Sequence, residues 1–124
     1  TSTYYTTPLA TPMLMMVYDM IPELLNYDLT PRPWLEKDVT ISYALRYLCI
    51  SENTRRDLLA LYPEIPEDNA SMAYCGVDTQ AFYPRNKKDV VRFKKENGIT
   101  KDYYVFVGSR GEPGNYKNSH LFFD

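Results

Sequence analysis

The chain has 124 residues, enough for one small domain with a sizeable core, and its 44% hydrophobic and 24% charged residues are ordinary for a globular protein. A net charge of −2 excludes a general polyanion binder, so any attraction for phosphate has to be local. No stretch of about 18 apolar residues is present to span a membrane, and two cysteines without a CxxC pair or a histidine cluster exclude the usual zinc sites.

Met13 to Tyr18 (MLMMVY) is a continuous apolar run of strand length, closed by Asp19 and a turn-like IPE. Such runs suit strands covered on both faces, as in parallel sheets. Pro31 and Pro33 announce a helix start, proline being accepted in a first turn. Trp34, Ile41, Ala44, Leu45 and Leu48 recur at helical spacing, which predicts an amphipathic helix over residues 33–47, and Tyr47 to Ile50 reads as a short second strand. Ser51 follows at once. Its hydroxyl can accept from an early orphan amide, so it is the expected N-cap of a helix over 52–62 with Leu58, Leu59 and Tyr62 inward and Pro63 as the stop.

Ala70 to Cys75 reads as a third strand ended by Gly76, and DTQAFYPRNKKD as a linker or crossover. Lys87 to Asn97 is a charged helix with Val90, Val91 and Phe93 apolar, and Gly98 stands where a C′ residue belongs. Tyr103 to Val107 is the expected fourth strand, and NSHLFFD looks like the opening of another helix. The only histidine, His120, lies there and is read as incidental. Cys49 and Cys75 sit in apolar runs and are read as buried reduced thiols. Of the twelve tyrosines, most are expected to be half-buried at the core edge, although their hydroxyls also suit polar clefts and sugar faces.

Strands alternating with helices predict an α/β class, a mostly parallel sheet with flanking helices. Ligands of such sheets sit beyond the carboxyl ends of the strands. The residues just after each strand are therefore the site candidates: Tyr18 and Asp19, Ser51, Gly76 to Asp78, and Gly108, Ser109 and Arg110. The alternative is that every α/β protein must end its strands in something polar.

The segment GSRGEPGNYKN, residues 108–118, carries three glycines, Arg110 and Lys117. Glycines let backbone come close to a ligand, a following helix start offers free amides, and the two cations add charge-assisted donors. Together these favour a phosphate or diphosphate. Neither GxGxxG nor the P-loop GxxxxGK[ST] is present, which disfavours the corresponding nucleotide sites. A surface loop with two solvated cations remains the alternative.

Four stretches in order, Val17 to Glu23, Ser51 to Leu59 (SENTRRDLL), Gly76 to Pro84 and Val107 to Asn118, make the chain similar to the family-4 glycosyltransferases, which have the GT-B fold of two Rossmann-like domains. The resemblance covers almost the whole chain. It implies that residues 1–80 are the later part of the N-terminal acceptor domain, and that residues 81–124 are the linker and the start of the C-terminal nucleotide-sugar donor domain. It further implies a retaining, metal-independent sugar transfer, with no cofactor, from a nucleotide-sugar donor to a glycan or lipid-linked acceptor, and no nucleic-acid partner. A cytoplasmic place follows from the same likeness, with peripheral membrane association of the full-length protein.

Lys117, with Asn118, matches the family's diphosphate-binding Lys-Asn pair, and Arg110 matches its basic partner more loosely because Tyr116 stands beside the lysine. Gly108 and Ser109 belong to the same segment, while Tyr18 and Asp19 line the expected cleft. No Asp-x-Asp metal motif occurs. Two departures stand out. Tyr18 replaces a histidine that many members carry, and the family's Glu-x7-Glu segment is not in these residues. The expectation is therefore a fragment without turnover of its own. The alternatives are a non-catalytic GT-B-like module that holds nucleotide or glycan, and a plain α/β phosphate-binding domain.

Overall fold

The computed structural model describes residues 11–108 and 117–122. The chain divides into two compact units, Thr1–Asp78 and Thr79–Asp124.

The first unit is α/β. Its elements are β1 (Leu14–Val17), α1 (Ile21–Leu24), α2 (Arg32–Tyr43), β2 (Arg46–Cys49), α3 (Glu52–Leu61), a 3₁₀ turn at Glu67–Asn69 and β3 (Ala70–Met72). The three strands form one parallel sheet in the order β1-β2-β3, with Met15 opposite Tyr47 and Tyr47 opposite Ala70. Parallel neighbours need a crossover, which α2 supplies between β1 and β2 and α3 between β2 and β3.

Side chains alternate across a strand, so the register decides which face is packed. Met15, Tyr47 and Ala70 form one buried row, and Val17 and Cys49 extend it. Ile41 of α2 and Leu58 of α3 close over them, joined by Met20 and Ile65. The opposite row is more open: Leu14 is 48% exposed, and Met16 and Leu48 are half-buried. This corrects the expectation of two-sided cover. A continuous apolar run reports that a strand is hydrophobic and not how many helices reach it. The buried Tyr47 hydroxyl donates to the carbonyls of Ile41 (2.5 Å) and Ala44 (3.0 Å), tying the end of α2 to the strand that follows.

Several boundaries move for identifiable reasons. The helix expected over 33–47 stops at Tyr43, because Leu45 N–H donates to Met13 O at 2.9 Å and so draws the chain into the ladder with β1. The IPE turn is one turn of helix, α1, started by Asp19 Oδ1 accepting from Ile21 N at 3.1 Å. β3 ends at Met72, three residues short of Cys75. Ala73 N–H makes a last bond to Cys49 O, which is also the end of β2, and strand pairing stops where the partner does.

Cys75 is exposed, a correction to its reading as a buried thiol, while Cys49 is completely buried. Burial pushes the Cys49 thiol up to about 11; Arg55 pulls the other way and Glu52 adds to the rise. A raised thiol favours the folded state below its ordinary value of 9.0 and loses that contribution as pH climbs through about 11. Iodoacetamide at a pH of about 8 is accordingly expected to label Cys75 in the native chain and Cys49 only after denaturation, which peptide mass spectrometry can read.

α3 begins as the sequence indicates. Ser51 is extended, and its Oγ accepts from Thr54 N at 3.1 Å. Ser51→Ala is expected to cost about 1 kcal/mol in urea unfolding, the usual worth of a cap; a loss several-fold larger would reveal a further role for the hydroxyl.

In the second unit, α4 (Lys87–Glu96) is capped by Asn86, whose side chain accepts from Asp89 N at 2.9 Å. Gly98, at φ 66°, ends it: its N–H bonds Lys95 O while Ile99 N–H bonds Lys94 O at 2.8 Å, a Schellman closure. Val90, Val91 and Phe93 are exposed on α4. The expected fourth strand is not formed. Residues 102–107 carry no strand, with Tyr104 89% and Val107 90% exposed. A strand exists by pairing, and among the described residues of this unit there is no second strand to pair with. The last described element is a 3₁₀ turn at Ser119–Phe122, where an α-helix start was expected.

Candidate functional site at the carboxyl end of the sheet

Where β1 leaves the sheet its carbonyls need partners from elsewhere. Val17 O still accepts a ladder-type bond from Ile50 N at 3.1 Å. The next two are taken by side chains from two different helices. Thr54 Oγ1 of α3 donates to Tyr18 O at 3.2 Å, and Lys37 Nζ of α2 donates to Asp19 O at 2.9 Å. Thr54 also lies 3.0 Å, hydroxyl to hydroxyl, from Ser51, so Thr54 links Ser51 to Tyr18 O, while Asp19 O is held separately by Lys37. Three of the residues expected from sequence thus come together at one end of the sheet, with the Tyr18 ring partly exposed.

Lys37 is completely buried, and its ammonium also meets the Glu23 carboxylate of α1 at 2.8 Å, with Glu23 only 7% exposed. Removing both charges from water is costly, and the pair is held by close geometry and by the added bond to Asp19 O. Lys37, Glu23 and Thr54 were missed from the sequence. A signal was available for the lysine: Trp34, Lys37 and Ile41 share one helical stripe, and a cation on an inward stripe needs a buried partner. A further contact outside the sheet end, Tyr62 Oη to Asp38 Oδ1 at 2.8 Å, joins α2 to the end of α3; burial first, then that bond, raises the Tyr62 phenol well above its ordinary range.

Gly76 and Asp78 follow β3 on exposed chain. A Cβ on Gly76 would meet nothing within 4 Å, so space does not reserve that position for glycine. In the second unit, Gly108 has φ 158°, a value that suits glycine, and Lys117 is exposed, followed by Asn118 at φ 48°. Ser109, Arg110 and the side chain of His120 lie outside the described residues.

Charge is divided unevenly between the units. Residues 79–124 hold nine Lys and Arg against five Asp and Glu, and residues 1–78 hold five against eleven. The nearly neutral total conceals a basic second unit and an acidic first one. Among the described residues no group of three His, Cys, Asp or Glu could hold a metal ion, and no helix is long and apolar enough to cross a membrane. Compared with known proteins, the chain matches no family model, no curated protein and no solved structure.

Proposed function

We propose that these residues belong to a retaining, metal-independent glycosyltransferase of the GT-B type, which moves a sugar from a nucleotide-sugar donor to a glycan or lipid-linked acceptor. The observation that carries the reading is the meeting of two resemblance-bearing stretches, Val17 to Glu23 and Ser51 to Leu59, at the carboxyl ends of adjacent parallel strands. That is where an α/β sheet places a ligand. The excess of cations in residues 79–124 supports a diphosphate partner for the segment from Gly108 to Lys117.

Breaking the sugar–phosphate bond puts negative charge on the departing diphosphate. Cations already in place stabilise that charge more in the transition state than in the ground state. Lys117, an exposed point charge, is assigned this role. Tyr18 offers a hydroxyl that can hydrogen-bond a sugar, and it favours the runner-up, a binding module without turnover, because a phenol is a poor base at neutral pH.

Titration of the ¹⁵N-labelled chain with UDP-glucose and GDP-mannose tests the diphosphate assignment. The amides of Gly108 and Lys117 are expected to shift, and Lys117→Ala to weaken the response. No shift at either residue with any donor removes the assignment. In the full-length protein Lys117→Ala is expected to lower turnover by about 10²–10³-fold, as for a lost oxyanion donor, with EDTA without effect and melting temperature nearly unchanged. Donor binding without release of nucleoside diphosphate would favour the binding module.

A further inference from the structure

The four-residue helix α1 is too short to hold itself together, yet it carries Glu23 into a buried position and shapes the chain leaving β1. Its backbone bonds, Leu24 N to Met20 O at 3.0 Å and Leu25 N to Ile21 O at 2.9 Å, would open readily in isolation. What anchors the turn comes from α2. The Lys37 ammonium bridges the Glu23 carboxylate within the turn and the Asp19 carbonyl at the strand end.

We infer that Lys37 is a positioning residue, and that its buried pair with Glu23 is a latch fixing the backbone of Tyr18 and Asp19 at the carboxyl end of β1. Three features carry this. The ammonium is completely buried, so water does not compete for its donors. It bonds two groups four residues apart in sequence, which a pair serving only to neutralise charge would not require. Thr54 pins the neighbouring carbonyl, Tyr18 O, from α3, so consecutive peptide groups are held from two helices and the direction of the Tyr18 and Asp19 side chains is set. A buried ion pair is weak evidence for stability, and in some proteins buried polar groups specify one geometry instead. That the positioned groups meet a sugar rests on the glycosyltransferase reading; the latch does not.

Amide hydrogen exchange on the ¹⁵N-labelled chain decides it without any donor. In the wild type, Leu24 and Leu25 are expected to exchange within about tenfold of the α3 amides from Arg55 to Leu61, despite belonging to a single turn. Fast exchange there overturns the latch. The paired substitution Glu23→Gln with Lys37→Met keeps the volume and removes both charges. It is expected to speed exchange at Ile21, Leu24 and Leu25 by at least about tenfold and to move the Tyr18 and Asp19 amide shifts, with Arg55 to Leu61 unchanged. Unchanged exchange at the turn, or a uniform rise that includes α3, shows a pair that only adds stability and ends the positioning role. Because no nucleotide sugar is used, this result and that of the donor titration stand or fall separately. Should the paired variant fail to fold, the wild-type exchange rates alone support or overturn the latch.

Discussion

Glu23→Ala is expected to lower the stability of the first unit by about 3–5 kcal/mol, a large loss for a single polar side chain. The reason is what remains afterwards. Lys37 has no exposed surface, so its ammonium would stay buried and keep its bond to Asp19 O while losing the Glu23 carboxylate that faces it. The desolvation already borne by the lysine would stand without its compensation. The contrast is the exposed pair Arg32–Glu36, at 2.6 Å, with Arg32 86% exposed. Solvent and salt screen such a pair, so Glu36→Ala should stay within about 1 kcal/mol. Urea unfolding followed by circular dichroism measures both. A Glu23→Ala loss no larger than that of Glu36→Ala would show that the buried pair is not a closed, desolvated unit.

Leu58→Ala comes next, with an expected cost of about 2–5 kcal/mol. Leu58 is completely buried on α3 and lies in the cluster with Cys49, Tyr47 and Ile41. Truncation removes the transfer energy of the lost carbons and leaves a cavity that α3, tied at its start by Ser51 and at its end by Tyr62 to Asp38, is poorly placed to close. Leu59, one residue on, is only half-buried, and Leu59→Ala should cost clearly less. Marginal stabilities of about 5–15 kcal/mol mean that Leu58→Ala can take a large fraction of the total. Equal losses at the two positions would contradict the packing described for α3.

The candidate site was legible in part, and the limit has a physical cause. Ser51 was found because an N-cap is a local device: the acceptor and the amide it serves are three residues apart. Tyr18 and Asp19 were found because a polar break after an apolar run marks a strand end. Thr54, Lys37 and Glu23 were missed because their bonds join residues 36, 18 and 14 positions apart. No local pattern records which distant carbonyl a side chain will reach.

Local chemistry alone determined much of this protein. The apolar run of β1, the helices of α2 and α3, the Ser51 cap, the Gly98 closure of α4 and the α/β class all follow from spacing and residue type over a few positions, and all are present. Tertiary structure decided what depends on partners. Leu45 left its helix because Met13 O offered a ladder bond, and β3 stopped where β2 stopped. Tyr103 to Val107 has every residue a strand favours and forms none, because strand character is completed by a neighbour and not by composition. The same holds for Lys37: its helical position was readable, but whether a lysine points to water or is sealed against a carboxylate is settled only when another part of the chain folds over it.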